Sequence, residues 1–290
     1  MPEIIGLIGG SGLGDVLEKR LGKVRQVKIN TPFGLPSDNI LTGTFAGRQV
    51  AFINRHGRGH RYSPSVVPYA ANIYAMKKLG VKSIIASGAV GSLAQNIKPR
   101  DIVIVDQAID KTFKRENTFF DDIAAVHCEM AHPYCDRLRQ TLLKAADKVK
   151  TKVHKRGVYV CMEGPQFSTR GESLMHRKWG VQLIGMTAMP EAKLAREAQM
   201  CFALVALISD YDCWQEPKKK TDAQMLLAEI IGNLNSATEN AIELIKAVLQ
   251  SKQMLCDDDC PCRKSLQLAV WTPKEQINPK YTQILKVLRS

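Results

Sequence analysis

The chain has 290 residues, of which 45% are hydrophobic and 24% are charged, and its formal net charge is +13. This composition is typical of a soluble globular protein, and no run approaches the ~18–20 consecutive apolar residues that predict a membrane span. Because the Lys and Arg residues are scattered and not interleaved with aromatic residues, the positive charge favours a small anionic ligand such as phosphate over nucleic acid.

Short apolar runs alternate with helical patterns along the chain. This alternation predicts an α/β fold around a parallel or mixed sheet. No linker rich in Pro, Gly or Ser interrupts it, so we predict one domain over residues 1–250 and an appendage, residues 251–290, packed on the same domain. The predicted strands are residues 4–8, 39–45, 49–54, 83–86, 102–105, 157–162, 181–184 and 201–208, and the predicted helices are residues 64–79, 133–149, 169–179, 190–198, 221–249 and 279–288.

The start of the chain bears on its location. Residues 1–10 include Glu3 and no basic residue. Since a secretory signal normally begins with a basic segment, we predict a cytoplasmic protein. We expect neither a membrane nor a nucleic acid as its partner.

Two polar stretches near the start can hold an anion. The first strand ends in the motif GGSG, whose glycines let backbone N–H groups point at a ligand and whose Ser11 adds a hydroxyl. The strand 49–54 is followed by Arg55, His56 and His60 among further Arg and Gly residues. Arg binds phosphate through paired hydrogen bonds, and His can add a donor. A tight turn and a solvated loop are the respective alternatives.

Later strand ends carry groups that suit a heterocycle and a sugar. The small residues of 86–93 permit close approach of a ligand to a loop. Phe167 presents an aromatic ring, although it could equally be a core residue. Met186 and Thr187 stand just before the predicted helix 190–198, so a thioether, a hydroxyl and a helix N-terminus come together.

Two carboxylates follow the most apolar of the predicted strands. Asp210 and Asp212 come just after residues 203–208. In an open α/β sheet, ligands bind at the carboxyl ends of the strands. A carboxylic acid held there can protonate a leaving group or accept a hydrogen bond from a base. A solvated turn is the alternative, because Asp is common in turns.

Three of the eight cysteines are close together in sequence: Cys256, Cys260 and Cys262. They could form a disulfide, hold a metal or act as a redox switch. Zinc prefers four ligands, and no His lies nearby in the sequence. We therefore favour a structural or redox role and predict no metal.

Seven stretches, IGLIGGSGL, NRHGRGH, SGAVGSL, DIVIVDQAIDKT, EGPQFSTRGES, GMTAMPEAKLAREA and SDYDCW, occur in this order over about residues 3–250. In these stretches the chain resembles the nucleoside phosphorylase family, in its trimeric purine branch. The resemblance implies a single α/β domain with a mixed, barrel-like central sheet flanked by helices. It also implies a homotrimer or a dimer of trimers, with inorganic phosphate as co-substrate and no other cofactor.

The resemblance implies a role for each candidate residue. Phosphate would be held beside the ribose, the base would stack on an aromatic ring with acids on its edge, and the 5′ group would contact a neighbouring subunit. The residues are Ser11, Arg55, His56, the Ala89 backbone and Thr187 for phosphate; Met186 for ribose; Phe167, Ser168, Asp210 and Asp212 for the base; and His60, Ala223, Leu226 and a neighbouring subunit's His127 for the 5′ group.

The reaction that the resemblance implies is phosphorolysis of 5′-methylthioadenosine to adenine and 5-methylthioribose 1-phosphate. Asp210 would give a proton to purine N7, and Asp212 would help to select a 6-amino base. We expect the pKa of the proton-donating acid to be raised by burial beside a second carboxylate. The alternatives are a broader adenosine or purine nucleoside phosphorylase and, from a different class, a non-catalytic nucleoside-binding protein.

The chain departs from the family pattern at two positions. Gly88 stands where relatives commonly have Ser or Thr, so a hydroxyl donor to phosphate is missing unless Ser87 substitutes. Ala223 stands where a larger aliphatic residue is often found, which leaves the shape of the 5′ pocket open. Relatives can also carry a Cys-x-Cys pair near the C-terminus, and the match with Cys260 and Cys262 implies a disulfide that fastens this segment.

Overall fold

A computed structural model describes residues 3–10, 12–216, 222–251 and 254–290. The predicted phosphate ligand Ser11 lies outside these ranges. Within them the strands, in chain order, are β1 (Ile4–Gly9), β2 (Gly22–Val27), β3 (Ile40–Phe45), β4 (Arg48–Asn54), β5 (Ser83–Ser92), β6 (Ile102–Ile104), β7 (Gln107–Lys111), β8 (Val153–His154), β9 (Val158–Met162), β10 (Leu183–Gly185) and β11 (Cys201–Asp210).

Helices flank this sheet. In the same ranges the α-helices are α1 (Leu13–Arg20), α2 (Tyr69–Lys78), α3 (Asp136–Ala146), α4 (Arg170–Lys178), α5 (Glu191–Glu197), α6 (Ala223–Leu249) and α7 (Thr282–Leu288). None of these helices is long and apolar enough to cross a membrane.

The strands form one mixed sheet with β5 at its centre. The spatial order is β2-β3-β4-β1-β5-β10-β9-β7; in addition β11 pairs with β5 and β6, and β6 pairs with β8. The first half of β5 lies between β1 and β11, both parallel to it, and its end pairs antiparallel with β10. This arrangement confirms the predicted α/β class with a mixed central sheet flanked by helices.

The predicted loop 86–93 is wrong, because β5 continues to Ser92. The small residues that suggested a loop instead allow neighbouring strands to approach closely. A Cβ at Gly91 would lie 3.0 Å from Cβ of Asp212 and 3.2 Å from Cγ2 of Ile184. A larger residue there would separate β5 from the end of β11, where the two predicted acids lie.

Two apolar clusters cover the faces of the sheet. Side chains of α2, α5 and α7 contribute to one cluster, and side chains of α1, α3 and α6 contribute to the other. The last residues of the chain take part in both. Leu266 and Leu288 belong to the first cluster, whereas Leu255 and Cys260 belong to the second.

Several predicted boundaries shift for local reasons. The helices predicted from residues 64 and 133 begin at Tyr69 and Asp136, and the first is preceded by a short 3-10 turn at Pro64–Val66. Strand β2 was not predicted because it is a polar edge strand with five of its six residues exposed. Helix α4 begins as expected, since Thr169 and Glu172 form a capping box.

Candidate active site

Arg55, the residue after β4, is the most buried of the predicted phosphate ligands. Its guanidinium forms a two-pronged ion pair with Glu191 at the start of α5, with Nε–Oε1 and Nη2–Oε2 distances of 2.5 and 2.9 Å. Its Nη1 donates to the Ser87 carbonyl at 2.8 Å. Burial alone would lower the pKa of Arg55, but the charge of Glu191 and its hydrogen bond outweigh burial and raise it. The guanidinium is therefore charged and fixed in position.

Two glycines let the backbone pass close to this guanidinium. A Cβ at Gly10 would lie 3.2 Å from Nη1 of Arg55. A Cβ at Gly88 would lie 3.1 Å from Oγ1 of Thr187 and 4.0 Å from the same Nη1. Thr187 and Arg55 thus lie beside Gly88, and Ala89 is the next residue of β5.

Ser87 does not replace the missing hydroxyl of Gly88. The two are successive residues of β5, and successive side chains of a strand point to opposite faces. The face of Gly88 carries Thr187 and Arg55. The Ser87 hydroxyl is buried and has no hydrogen-bond partner within the described ranges. Of Ser87, Gly88 and Thr187, only Thr187 can therefore donate a side-chain hydroxyl to an anion on this face.

His56 is neutral and its tautomer is fixed. Its Nδ1 lies 2.8 Å from the Tyr62 carbonyl oxygen, which can only accept, so Nδ1 carries the proton. Burial lowers the pKa of His56 to about 4, and the charge of Arg55 adds to the effect. The remaining nitrogen, Nε2, is consequently an acceptor. From the sequence we expected a donor to phosphate, and in this state His56 can instead accept a hydrogen bond from a phosphate hydroxyl.

The other cationic residues of this loop point elsewhere. His60 stacks on His56 with ring centroids 4.3 Å apart. Arg58 is exposed and pairs with Glu18, and Arg61 donates to the Tyr62 hydroxyl at 2.8 Å. The positive charges that are close together in the sequence therefore point in different directions. Of Arg55, Arg58 and Arg61, Arg55 is the one whose guanidinium is buried.

Asp210 and Asp212 lie together, but in different backbone settings. Asp210 is the last residue of β11, whereas Asp212 opens a 3-10 turn with a positive φ of 51°. The Asp212 N–H donates to Oδ1 of Asp210 at 2.6 Å, and the Ser209 hydroxyl donates to Oδ2 at 2.6 Å. Both oxygens of Asp210 are thus acceptors here. Oδ1 of Asp210 also lies 3.3 Å from the Cβ position of Gly91.

Asp212 is half-buried. Burial raises its pKa, and the charge of Asp210 adds to the rise, although a hydrogen bond from the Ser173 hydroxyl of α4 opposes it. Cys213 donates to the Ser168 carbonyl at 3.3 Å. These contacts tie the turn after β11 to α4 and to the loop that carries Phe167 and Ser168.

Phe167 is not a core residue, since 86% of its surface is exposed. Its ring is therefore free to cover a ligand. Ser168 is half-buried and donates to the Met162 sulfur. Met186 is also half-buried, and a Cβ at Gly164 would lie 2.6 Å from its sulfur, so the glycine makes room for the Met186 side chain.

A buried arginine that the sequence did not single out connects these loops. Arg115 donates to the carbonyl oxygens of Met186 and Met189, both at 2.6 Å, and to the Glu163 carbonyl at 2.7 Å. Burial alone would raise the pKa of Glu163, but hydrogen bonds from the Phe113 N–H and other donors, among them Arg115, hold it near 2. In the sequence, Glu163 begins EGPQFSTRGES, one of the seven stretches that resemble the family. Arg115 belongs to none of the seven.

The predicted 5′ residues fall into three places. Ala223 and Leu226 are exposed on the first turns of α6, and His60 lies on the ring of His56. His127 lines a separate cavity of about 570 Å³ together with residues such as Glu197. Its ring packs edge-on against Trp271 at 5.0 Å. Within one chain, His127 therefore does not join the other predicted ligands.

A disulfide fastens the C-terminal segment, and of the three candidate cysteines Cys256 is the one that takes part in it. Cys256 forms a disulfide with Cys201 at the start of β11, whereas Cys260 and Cys262 are free. Sequence spacing could not reveal this, because the partner is 55 residues away and reaches Cys256 only through the packing of the C-terminal segment on β11.

Comparisons with known proteins show the family to which the chain is related. The Phosphorylase superfamily model matches residues 4–250. An S-methyl-5′-thioadenosine phosphorylase of Geobacter sulfurreducens is 45% identical over 96% of this chain and 94% of its own length. A methylthioadenosine phosphorylase from an antarctic soil metagenomic library has a TM-score of 0.89 at 43% identity, covering 99% of both chains. That of Schistosoma mansoni in complex with adenine gives 0.82 at 32% identity, covering 92% of this chain and 99% of its own. The chain belongs to the phosphorylase superfamily.

Proposed function

We propose that the protein catalyses phosphorolysis of 5′-methylthioadenosine to adenine and 5-methylthioribose 1-phosphate. The observation that carries this proposal is that Thr187 and Arg55 lie beside Gly88 of β5, whereas Asp210 and Asp212 lie beside Gly91 of the same strand. Three residues of a strand span about 10 Å. The candidate ligands for the anion and those for the base are therefore close along one strand, which supports the proposal. The relatives named above bear the names of enzymes that act on this nucleoside.

In the proposed reaction a phosphate oxygen attacks C1′ while the bond from C1′ to N9 breaks and its electron pair passes to the purine. Arg55 and Thr187 hold the phosphate, Ala89 adds its backbone, and the Nε2 atom of neutral His56 accepts a hydrogen bond from a phosphate hydroxyl. Ser11 completes this group in our proposal. Asp210 enters this reaction as the neutral acid and gives its proton to N7; the oxygen that carries the proton must first release the donor that it accepts from in this structure.

The acid pair also favours a 6-aminopurine over a 6-oxopurine. A carboxylate accepts a hydrogen bond from a 6-amino group but leaves a 6-oxo group without a donor. An unpaired buried polar group costs about 1–3 kcal/mol, which corresponds to roughly 5- to 150-fold in rate. Phe167 covers the base, Ser168 and Asp212 lie at its edge, and Met186 packs under the ribose.

The decisive experiment is a nucleoside panel with phosphate present and absent. We expect phosphate-dependent cleavage of 5′-methylthioadenosine and a lower rate with 5′-methylthioinosine and inosine. Equal turnover of the 6-oxo compounds would contradict the proposed base selection. Comparable turnover of adenosine would favour the broader nucleoside phosphorylase. Binding without cleavage would favour a nucleoside-binding protein, which the buried Arg55–Glu191 pair makes the weaker candidate.

We further propose a homotrimer in which His127 of one subunit reaches the 5′ group bound by its neighbour. Large exposed apolar side chains on and near the His127 cavity, such as Leu268 and Trp271, are suited to such an interface. Mixing an Asp210→Asn variant with a His127→Ala variant tests this arrangement. Restored activity after subunit exchange supports a shared site, whereas additive low activity contradicts it.

The proposal also covers the cofactors, the location and the domain organisation of the protein. Phosphate is the co-substrate, and no metal or organic cofactor takes part in the transfer. We place the enzyme in the cytoplasm and treat residues 251–290 as an appendage to the catalytic domain. Dialysis against a chelator should leave the turnover number of the folded enzyme unchanged.

A further inference from the structure

Five cysteines from three distant parts of the chain converge away from the active site. Cys135 precedes α3, Cys201 begins β11, and Cys256, Cys260 and Cys262 belong to the C-terminal segment. All five are buried, with at most 5% of their surface exposed. From the sequence we rejected a metal because residues 256–262 lack a fourth ligand. In the folded chain Cys135 and Cys201 lie beside this segment, so they can complete a set of four ligands.

The sulfur atoms of four of these residues have the spacing of a tetrahedral thiolate site. Those of Cys135, Cys201, Cys260 and Cys262 all lie within 4.8 Å of one another. The Cys260 sulfur is 3.7 Å from that of Cys135 and 3.4 Å from that of Cys201. A Zn–S bond of about 2.3 Å in a regular tetrahedron separates its sulfur atoms by about 3.8 Å. Small movements would therefore suffice to bind the ion.

We propose that Cys135, Cys201, Cys260 and Cys262 form a zinc site in the reduced protein. Four thiolates in tetrahedral geometry, closed to solvent, are the pattern of a structural zinc site, and no position remains open for a substrate. The site would fasten the C-terminal segment to α3 and β11. It is independent of the proposed phosphorolysis.

The backbone around the four sulfur atoms is already held in place. The Cys135 N–H donates to the Phe202 carbonyl at 2.8 Å, which joins two of the segments. Arg137 on α3 forms an ion pair with Asp259 at 2.7 Å, which joins the third. Cys135 is the N-cap of α3, and a helix N-terminus stabilises a thiolate. Arg263, which follows Cys262, has a buried Nε atom without a partner within the described ranges.

Zinc and the disulfide compete for Cys201. A dithiol reduces the Cys201–Cys256 bond by transferring two electrons and two protons, and the dithiol itself closes to a disulfide. Zinc then replaces the protons of the four ligand thiols. Wild-type protein should thus bind zinc only after reduction. Replacement of Cys256, which is not a ligand, should remove that requirement.

Cobalt(II) titration of the metal-free full-length protein tests the proposal. We expect one equivalent of cobalt to give the intense visible bands and the thiolate charge-transfer band of a tetrahedral thiolate site, and zinc to displace it. Wild-type protein should show these bands only with dithiol present, and Cys256→Ser should show them with or without it. Failure of both proteins to develop the bands under reducing conditions would overturn the proposal.

Ligand variants show which cysteines bind. Cys260→Ser and Cys262→Ser should each weaken zinc binding by more than the ~10–100-fold that loss of an outer hydrogen-bond partner costs. Cys128→Ser, at a half-buried cysteine outside the cluster, is the matched control and should bind as wild type does. Unchanged binding by Cys260→Ser, or purification of the reduced protein with an iron–sulfur chromophore, would contradict the zinc site.

Discussion

The carboxylate of Glu191 accepts two hydrogen bonds along one edge of the Arg55 guanidinium, and neither side chain is exposed to solvent. The opposite charges of the two side chains cancel, so the pair can offer phosphate fixed N–H donors but little net charge. Because the neighbouring His56 is also neutral, the site is suited to binding phosphate by hydrogen bonds. We infer that Glu191 is a positioning residue whose loss would affect phosphate more than nucleoside.

Glu191→Gln should therefore raise the KM for phosphate by about 10-fold or more, with a smaller change in the KM for the nucleoside. Leaving Arg55 as an uncompensated buried charge should also lower the free energy of unfolding by about 3–5 kcal/mol. Glu18→Gln removes the exposed partner of Arg58 and is the matched control, with no expected change in either quantity. Equal changes in both KM values would argue against a role specific to phosphate.

The sequence predicted the class of fold, because local patterns determine it. Arg55, Thr187 and Asp210 were chosen from their positions after apolar runs, and their roles stay predictions. What it did not predict depends on distant packing. The roles of Glu191 and Arg115, and the pairing of Cys256 with Cys201, arise only when separate segments meet.

The protonation of His56 also depends on packing. Its sequence neighbours are basic and suggested a cationic donor. Burial and the Tyr62 carbonyl make it neutral and fix the proton on Nδ1. No pattern of residue types encodes that carbonyl contact.

Asp210→Asn should lower kcat for 5′-methylthioadenosine by about 10²–10⁴-fold, because an amide cannot give a proton to N7. The amide oxygen can still accept the Asp212 N–H, so we expect the fold to persist. A ribosyl substrate with a nitrophenolate leaving group needs no such proton and is the control. If Asp210→Asn lost the same factor on both substrates, the defect would not lie in protonation.

The companion variant Asp212→Asn should act on base selection. An amide can donate to a 6-oxo group, which the carboxylate cannot do. We expect the ratio of kcat/KM for 6-amino over 6-oxo nucleosides to fall by about 5-fold or more, in keeping with the cost of an unpaired polar group. An unchanged ratio would place the selection elsewhere.

Leu226→Ser should reduce the preference for a 5′-methylthio group over a 5′-hydroxyl by about 10-fold, the effect of a small apolar group in a pocket. Leu226 is three residues from Ala223 on α6, so the two share a face. Met225 lies on the opposite side of the same turn, which makes Met225→Ser the matched control. The measurement is the ratio of kcat/KM for 5′-methylthioadenosine and adenosine. Equal ratios in the two variants would exclude Leu226 from the 5′ pocket.

The lowered pKa of His56 predicts how stability depends on pH. In the unfolded chain the pKa is about 6.5, and in the folded protein it is about 4. The unfolded state thus binds the proton more readily. The contribution of His56 to the free energy of unfolding is therefore complete above pH 6.5 and is lost as the pH falls towards 4. Its full size is about 3 kcal/mol. Glu197 acts in the opposite sense, since burial raises its pKa to about 7.

Comparison with His56→Gln separates the two effects, because Glu197 is present in both proteins and its contribution cancels. The difference in the free energy of unfolding, wild type minus variant, should fall by up to about 3 kcal/mol between pH 6.5 and pH 4. Urea titrations at several pH values measure this difference. A pH-independent difference would mean that His56 has the same pKa in both states. The imidazole would then be accessible to protons, and its role as a neutral acceptor for phosphate would be wrong.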